Sequence, residues 1–121
     1  MFPMFVEFQY IDHGKPVNWK CLALTGSQIN VSIVAFDDKS NANEVTRLYT
    51  EMGESGDYDM FLGPYSSGLT GRAGDVINKT GQIIMMHAGA SEWIYEKGHR
   101  NVFTTNVLAG DYFSAGLALL H

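Results

Sequence analysis

The sequence predicts an α/β fold, a Rossmann-like parallel sheet with helices on both faces. Three observations predict it. From residue 29 onward, short β-rich runs alternate with segments whose apolar residues recur at helical spacing, the pattern of consecutive βαβ units. The first of these runs is apolar on both of its faces, as a buried parallel strand is. The strand ends run into loops rich in Gly, Ser and Pro, and the helical segments stop at glycines.

Residues 29–36, Ile-Asn-Val-Ser-Ile-Val-Ala-Phe, read as the first strand of that sheet. Asn41, with Glu44 three residues later, resembles a capping box in which Asn replaces the usual Ser or Thr, and it opens a helix through about residue 52. Val45, Leu48, Tyr49 and Met52 fall at i, i+3, i+4 and i+7, which gives the helix a core-facing stripe. The acidic, glycine-bearing residues 53–59 form a solvated connection to a short strand at Met60-Phe-Leu62, which ends at Gly63-Pro64. A second helix carries Leu69, Ala73, Val76 and Ile77 on one face and stops near Gly81. The cycle repeats with a strand at 82–86, a loop at 87–90, a short helix at 91–97 followed by Gly98 as its left-handed stop, and a strand at 101–105. Residues 110–121 place Phe113, Gly116, Leu117 and Leu120 on one helical face without a stop signal, so the sequence is expected to end inside a helix.

The expected organisation is an N-terminal segment, residues 1–28, followed by a partial domain over residues 29–121. Residues 4–11 read equally well as a helix end or a strand, and residues 14–27 hold turn residues around Trp19 and a short apolar run from Cys21 to Leu24. No internal repeat and no low-complexity tract is present.

Composition removes several function classes. A chain of 121 residues is one small domain, and 45% hydrophobic with 17% charged residues is globular rather than disordered or fibrous. A formal charge of -5 and the lack of a basic run give no footprint for nucleic acid or an anionic membrane surface. Cys21 is the single cysteine, which excludes an intrachain disulfide and a multi-cysteine metal site. The apolar runs are far shorter than the roughly 20 residues that span a bilayer. The opening Met1-Phe-Pro-Met-Phe-Val lacks the basic start and long apolar region of a secretory signal.

Chemistry concentrates in Gly63-Pro-Tyr-Ser-Ser-Gly68, which lies between a strand and a helix. Ligands of open α/β sheets bind beyond the carboxyl ends of the strands, so this loop falls on the functional edge. The helix that follows presents unsatisfied N–H groups and a positive dipole end, and the Ser66 and Ser67 hydroxyls stand beside them, which suits a carboxylate. The competing reading is that these serines only cap the helix. His87-Ala-Gly-Ala-Ser91 follows the next strand and brings a second small, polar loop to the same edge.

Val34-Ala-Phe-Asp-Asp-Lys-Ser40, Gly63-Pro-Tyr-Ser-Ser-Gly-Leu-Thr70, Ala88-Gly-Ala-Ser91 with Ile94-Tyr-Glu-Lys-Gly98, and Val102-Phe-Thr-Thr105 together resemble, in order and spacing, the type I periplasmic binding proteins. The likeness is to the branched-chain-amino-acid type and the related ligand-binding regions of receptor ectodomains, and it spans about residues 29–120. It implies the incomplete first lobe of a two-lobe fold. It also implies a ligand-binding set of Ser66 and Ser67 for the ligand α-carboxylate, Gly89 with its neighbour Ala90 for a backbone contact, and Ser91 for the α-carboxylate or α-amino group. The implied protein is a non-enzymatic, cofactor-free, substrate-binding component of an ABC transporter for a small carboxylate such as an amino acid. Its place would be periplasmic or extracellular and its partner a membrane transporter. The alternative is the ectodomain fragment of a receptor, whose partner is its own transmembrane region. Phe8-Gln-Tyr-Ile-Asp-His-Gly14 resembles the end of the family's first helix, which would leave the first strand missing. Cys21-Leu-Ala-Leu-Thr-Gly26 alternatively resembles that strand with the first helix deleted. A sheet without its first strand would leave apolar edges unpaired, and association or partial order is then the expectation.

Other residues carry less. The four histidines lack metal-ligand spacing and read as surface or loop residues, with His87 alone near the proposed site. Asp37-Asp38 reads as an electrostatic cap before a helix rather than an acid–base pair. No G-x-S-x-G elbow surrounds the serines, so a small hydrolase-like enzyme is the lesser reading, beside that of a truncated product without activity of its own. Trp93 and Tyr95 read as packing residues, and Asn30-Val-Ser32 and Asn78-Lys-Thr80 as chance matches to a glycosylation sequon.

Overall fold

A computed structural model describes residues 17–22 and 28–118. The chain divides into two units, Met1–Asp37 and Asp38–His121.

In the first unit, β1 (Val17–Leu22) and β2 (Gln28–Ile33) form an antiparallel ladder, with Val17 opposite Ile33 and Leu22 opposite Gln28. The strand expected at residues 29–36 is therefore present but shorter, and its hydrogen-bonded neighbour is a local antiparallel strand. The cause lies in the sequence around Trp19. Val17, Trp19 and Cys21 alternate with Asn18 and Lys20, the period of a strand, although the segment reads at first as turn-rich. Sequence-adjacent strands pair readily because little chain must be closed. The possible first helix and its turn at residues 8–14 lie outside the described residues, as do residues 23–26 of the alternative first strand.

The second unit is an α/β layer. Helix α1 (Ala42–Ser55) starts at Asn41, whose Oδ1 accepts the N–H groups of Asn43 at 2.8 Å and Glu44 at 3.2 Å. That is half of the expected capping box. Glu44 turns outward to Arg47 (2.6 Å), which also reaches Glu51 one turn on, and the contact holds the Glu44 carboxyl below its ordinary pKa. The helix runs three residues past the expected end and stops at Gly56, at φ +72°.

The strands β3 (Met60–Leu62), β4 (Ile83–Met86) and β5 (Val102–Thr104) are parallel in the order β3-β4-β5. Met60 pairs with Ile83, Leu62 with Met85 and Met85 with Phe103, so these five side chains share one face. Phe61, Ile84, Met86 and Val102 share the other, where they pack against Val45 and Tyr49 of α1 and against Ala73 and Ile77 of α2 (Ser67–Thr80). Both long helices therefore lie on one face. Two consecutive connections that step the same way along a parallel sheet with the same hand fall on the same side, so α2 and the chain linking β4 to β5 cannot cover the opposite face.

The β4–β5 connection holds a single 3₁₀ turn, Glu92–Ile94, in place of the expected helix at 91–97. Ile94 is buried, and Trp93 lies over Gly71, where a Cβ would overlap its ring. After β5 a second 3₁₀ turn, Ala109–Asp111, precedes the short helix α3 (Ser114–Ala118). Phe113 and Leu117, expected on one helical face, are exposed, and residues 119–121 lie outside the described residues.

Ile84→Ala removes a fully buried side chain from the centre of this contact and is expected to cost ~2–5 kcal/mol. Asn41→Ala removes only a cap and is expected to cost ~1 kcal/mol. Urea unfolding of both variants checks the ranking, and equal losses would contradict the placement of the core.

Candidate ligand-binding site

The carboxyl ends of β3 and β4 deliver the two loops side by side. Gly63 extends the ladder by donating its N–H to the Met85 carbonyl at 2.9 Å, and Pro64 then turns the chain away. The buried Thr70 hydroxyl donates to the Pro64 carbonyl at 3.0 Å, which fixes the loop to the first turn of α2. Ser66 is the N-cap of α2. Its Oγ accepts the Leu69 N–H at 3.4 Å and its carbonyl accepts the Thr70 N–H at 3.0 Å. Its φ of +78° is costly for a residue with a Cβ, so the cap is held in a strained conformation by the packing on either side.

Ser67 joins the two loops, its Oγ accepting the Ser91 N–H at 3.2 Å. Gly89 is buried against Thr70, where a Cβ would overlap the threonine side chain, and its carbonyl accepts the Tyr95 hydroxyl at 2.6 Å. The Ala90 carbonyl accepts the Ala109 N–H at 2.8 Å. Ser91 starts the Glu92–Ile94 turn without using its hydroxyl as a cap. Ser67, Gly89, Ala90 and Ser91 thus belong to one bonded loop pair, and the carbonyls of Gly89 and Ala90 are already engaged within the protein.

Ser66 also lines a groove of about 330 Å³, together with Asp38, Ser40, Tyr65, Leu69 and Arg72. It is the one member of the expected set to do so. Arg72 and Asp38 form no ion pair among the described residues, so the groove carries one charge of each sign. Residue-type reasoning passed over Arg72 because it stands in mid-helix, although it lies six residues after Ser66 on the helix that Ser66 caps. Asp38 Oδ1 accepts the Ser40 N–H at 2.7 Å within its own turn, while the cap of α1 is Asn41. Behind it the buried Tyr49 hydroxyl donates to the Leu62 carbonyl at 2.6 Å. Burial, and then the Asp38 charge, push its pKa up and keep it a neutral donor.

The remaining candidates divide. His87 is exposed, and no hydrogen bond joins it to Ser66, Ser67 or Ser91 among the described residues, so no nucleophile–base pair is formed. His99 lies in the loop before β5 with its side chain largely enclosed, its Nε2 3.6 Å from Asp75, which also holds Lys97 at 2.8 Å. Lys97 in turn lies over the Trp93 ring, 4.8 Å from its centre, which makes Trp93 part of the packing. Among the described residues no three His, Cys, Asp or Glu side chains gather as a metal site.

What the edge offers chemically is donors. The first amides of α2 have no intrahelical acceptor, and the hydroxyls of Ser66, Ser67 and Ser91 stand at or beside them. No protein-family model and no solved structure matches the chain.

Ser67→Ala is expected to release the Ser91 amide. Hydrogen exchange there should quicken by about two- to tenfold, the equivalent of ~0.5–1.5 kcal/mol, while the amides of β4 keep their protection. Unchanged exchange at Ser91 would show that the bond does not hold the loops together.

Proposed function

We propose that the chain is the capturing lobe of a solute-binding module, which holds a small carboxylate-bearing molecule, such as an amino acid, at the carboxyl edge of β3 and β4. The observation that carries this reading is the Ser67–Ser91 bond. It ties two hydroxyl-bearing loops from adjacent parallel strands together at the amino end of α2, where a carboxylate meets backbone N–H groups and the positive end of the helix dipole. The type I periplasmic-binding-protein likeness gives the reading its wider setting. A second lobe would close over the ligand, and the complex would pass it to a membrane transporter from a periplasmic or extracellular position. Among the described residues no helix is long and apolar enough to cross a membrane.

Ser66→Ala and Ser91→Ala each remove a hydrogen bond to a charged group. Each is expected to cost ~1.5–3 kcal/mol of binding, a tenfold or larger rise in dissociation constant, without unfolding the protein. Titration with a panel of amino acids, followed by the amide shifts of residues 66, 67 and 91, checks this. Equal affinity in the native chain and both variants would reject the assignment.

A further inference from the structure

A parallel sheet is apolar on both faces and is ordinarily covered on both. Here one face is filled by α1 and α2, and Ile84 and Met86 are fully buried on it. On the other face Met60 and Leu62 are each 52% exposed, Phe103 48% and Ile83 46%. The same unit carries a second uncovered apolar surface after β5. Phe113 is 76% exposed and Leu117 60%, and the Leu117 N–H donates to the Phe113 carbonyl, so the two side chains share one side of the helical turn. Val107 and Tyr112 are also exposed.

The areas decide which surface meets which. A large apolar side chain left half-exposed keeps on the order of 100 Å² of accessible surface. The four sheet residues supply roughly 400 Å² per copy, so two sheet faces stacked on each other would bury about 800 Å², no more than a chance contact. Adding Phe113 and Leu117, which share one side of the helical turn, raises this to roughly 1,200 Å² for a pair, the lower bound of a stable specific interface. Only an arrangement that uses both surfaces reaches it. A helix stripe is moreover the natural cover for a parallel sheet face.

We propose that the chain forms a two-fold dimer in which the segment after β5, with α3, lies across the open sheet face of a second copy. The exchange is isologous, so both sheets and both helices are covered at once and the assembly closes at two copies. A net charge of -5 on each chain opposes further growth.

Sedimentation velocity of the 121-residue chain across the micromolar range is expected to show twice the 13.4 kDa monomer mass. Leu62→Lys and Leu117→Glu replace exposed residues, so each variant should keep the native circular dichroism and sediment as a monomer. Mixed together they should recover the dimer. One of the two exchanged contacts is then entirely native, and in the other the lysine of one copy's sheet faces the glutamate of the other copy's helix. A contact of sheet with sheet, or of helix with helix, would not be rescued by that mixture. A monomeric native chain, whether because its own N-terminal residues cover the face or because nothing does, would overturn the proposal. So would open-ended polymers, a Leu117→Glu variant that stays dimeric, or a mixture that stays monomeric.

Discussion

Phe61, Ile84, Met86 and Val102 on the strands meet Val45, Tyr49, Ala73 and Ile77 on the helices, and the position of every candidate functional group follows from that contact. It sets the height of α2 against β3 and β4, and with it the place where the first turn of α2 meets the loop leaving β3. The Tyr49 hydroxyl reaches the Leu62 carbonyl from the same layer, and Thr70 reaches the Pro64 carbonyl. Loop 63–66 is thus held by a hydrogen bond just before it, at Leu62, and by a buried one within it, at Pro64. Packing of this kind can maintain Ser66 at a positive φ that the residue would not adopt alone.

Much of this layer is legible in the sequence because its signals are local. The i, i+3, i+4, i+7 stripe of α1, the cap at Asn41, the stop at Gly81 and the short apolar strands each need only a few neighbouring residues to be read, whereas the end of α1 at Gly56 lies beyond the residue 52 that the stripe suggests. The misreadings share a different origin. The partner of β2 depends on whether a nearby or a distant strand reaches it, and a single strand's apolar pattern cannot tell which. The stripe of residues 113, 117 and 120 announces a helix with an apolar side but not what that side covers. The amphipathic pattern is correct for Phe113 and Leu117, and the core it implies is absent from the described residues of this chain.

The candidate site was legible as chemistry and less so as geometry. Its residue types and their place at the carboxyl edge follow from strand and helix boundaries alone. That Ser67 rather than Ser66 binds the second loop, that Gly89 packs against Thr70, and that Ser66 looks onto a groove with Arg72 and Asp38 all depend on the directions side chains take in the folded chain, which local sequence pattern does not give.

The two readings of the serines, as helix caps or as ligand contacts, are compatible at the level of atoms. A hydroxyl offers one donor and two acceptor positions. Ser66 Oγ accepts from the Leu69 N–H, and Ser67 Oγ accepts from the Ser91 N–H. Each structural bond occupies an acceptor position and leaves the hydroxyl proton to donate elsewhere. Accepting an N–H also polarises the hydroxyl and strengthens it as a donor. The bonds that fold the edge therefore do not compete with a ligand acceptor placed there. A ligand group without an acceptor oxygen at the same place would leave these donors unsatisfied, and a cationic group would also meet the positive end of α2.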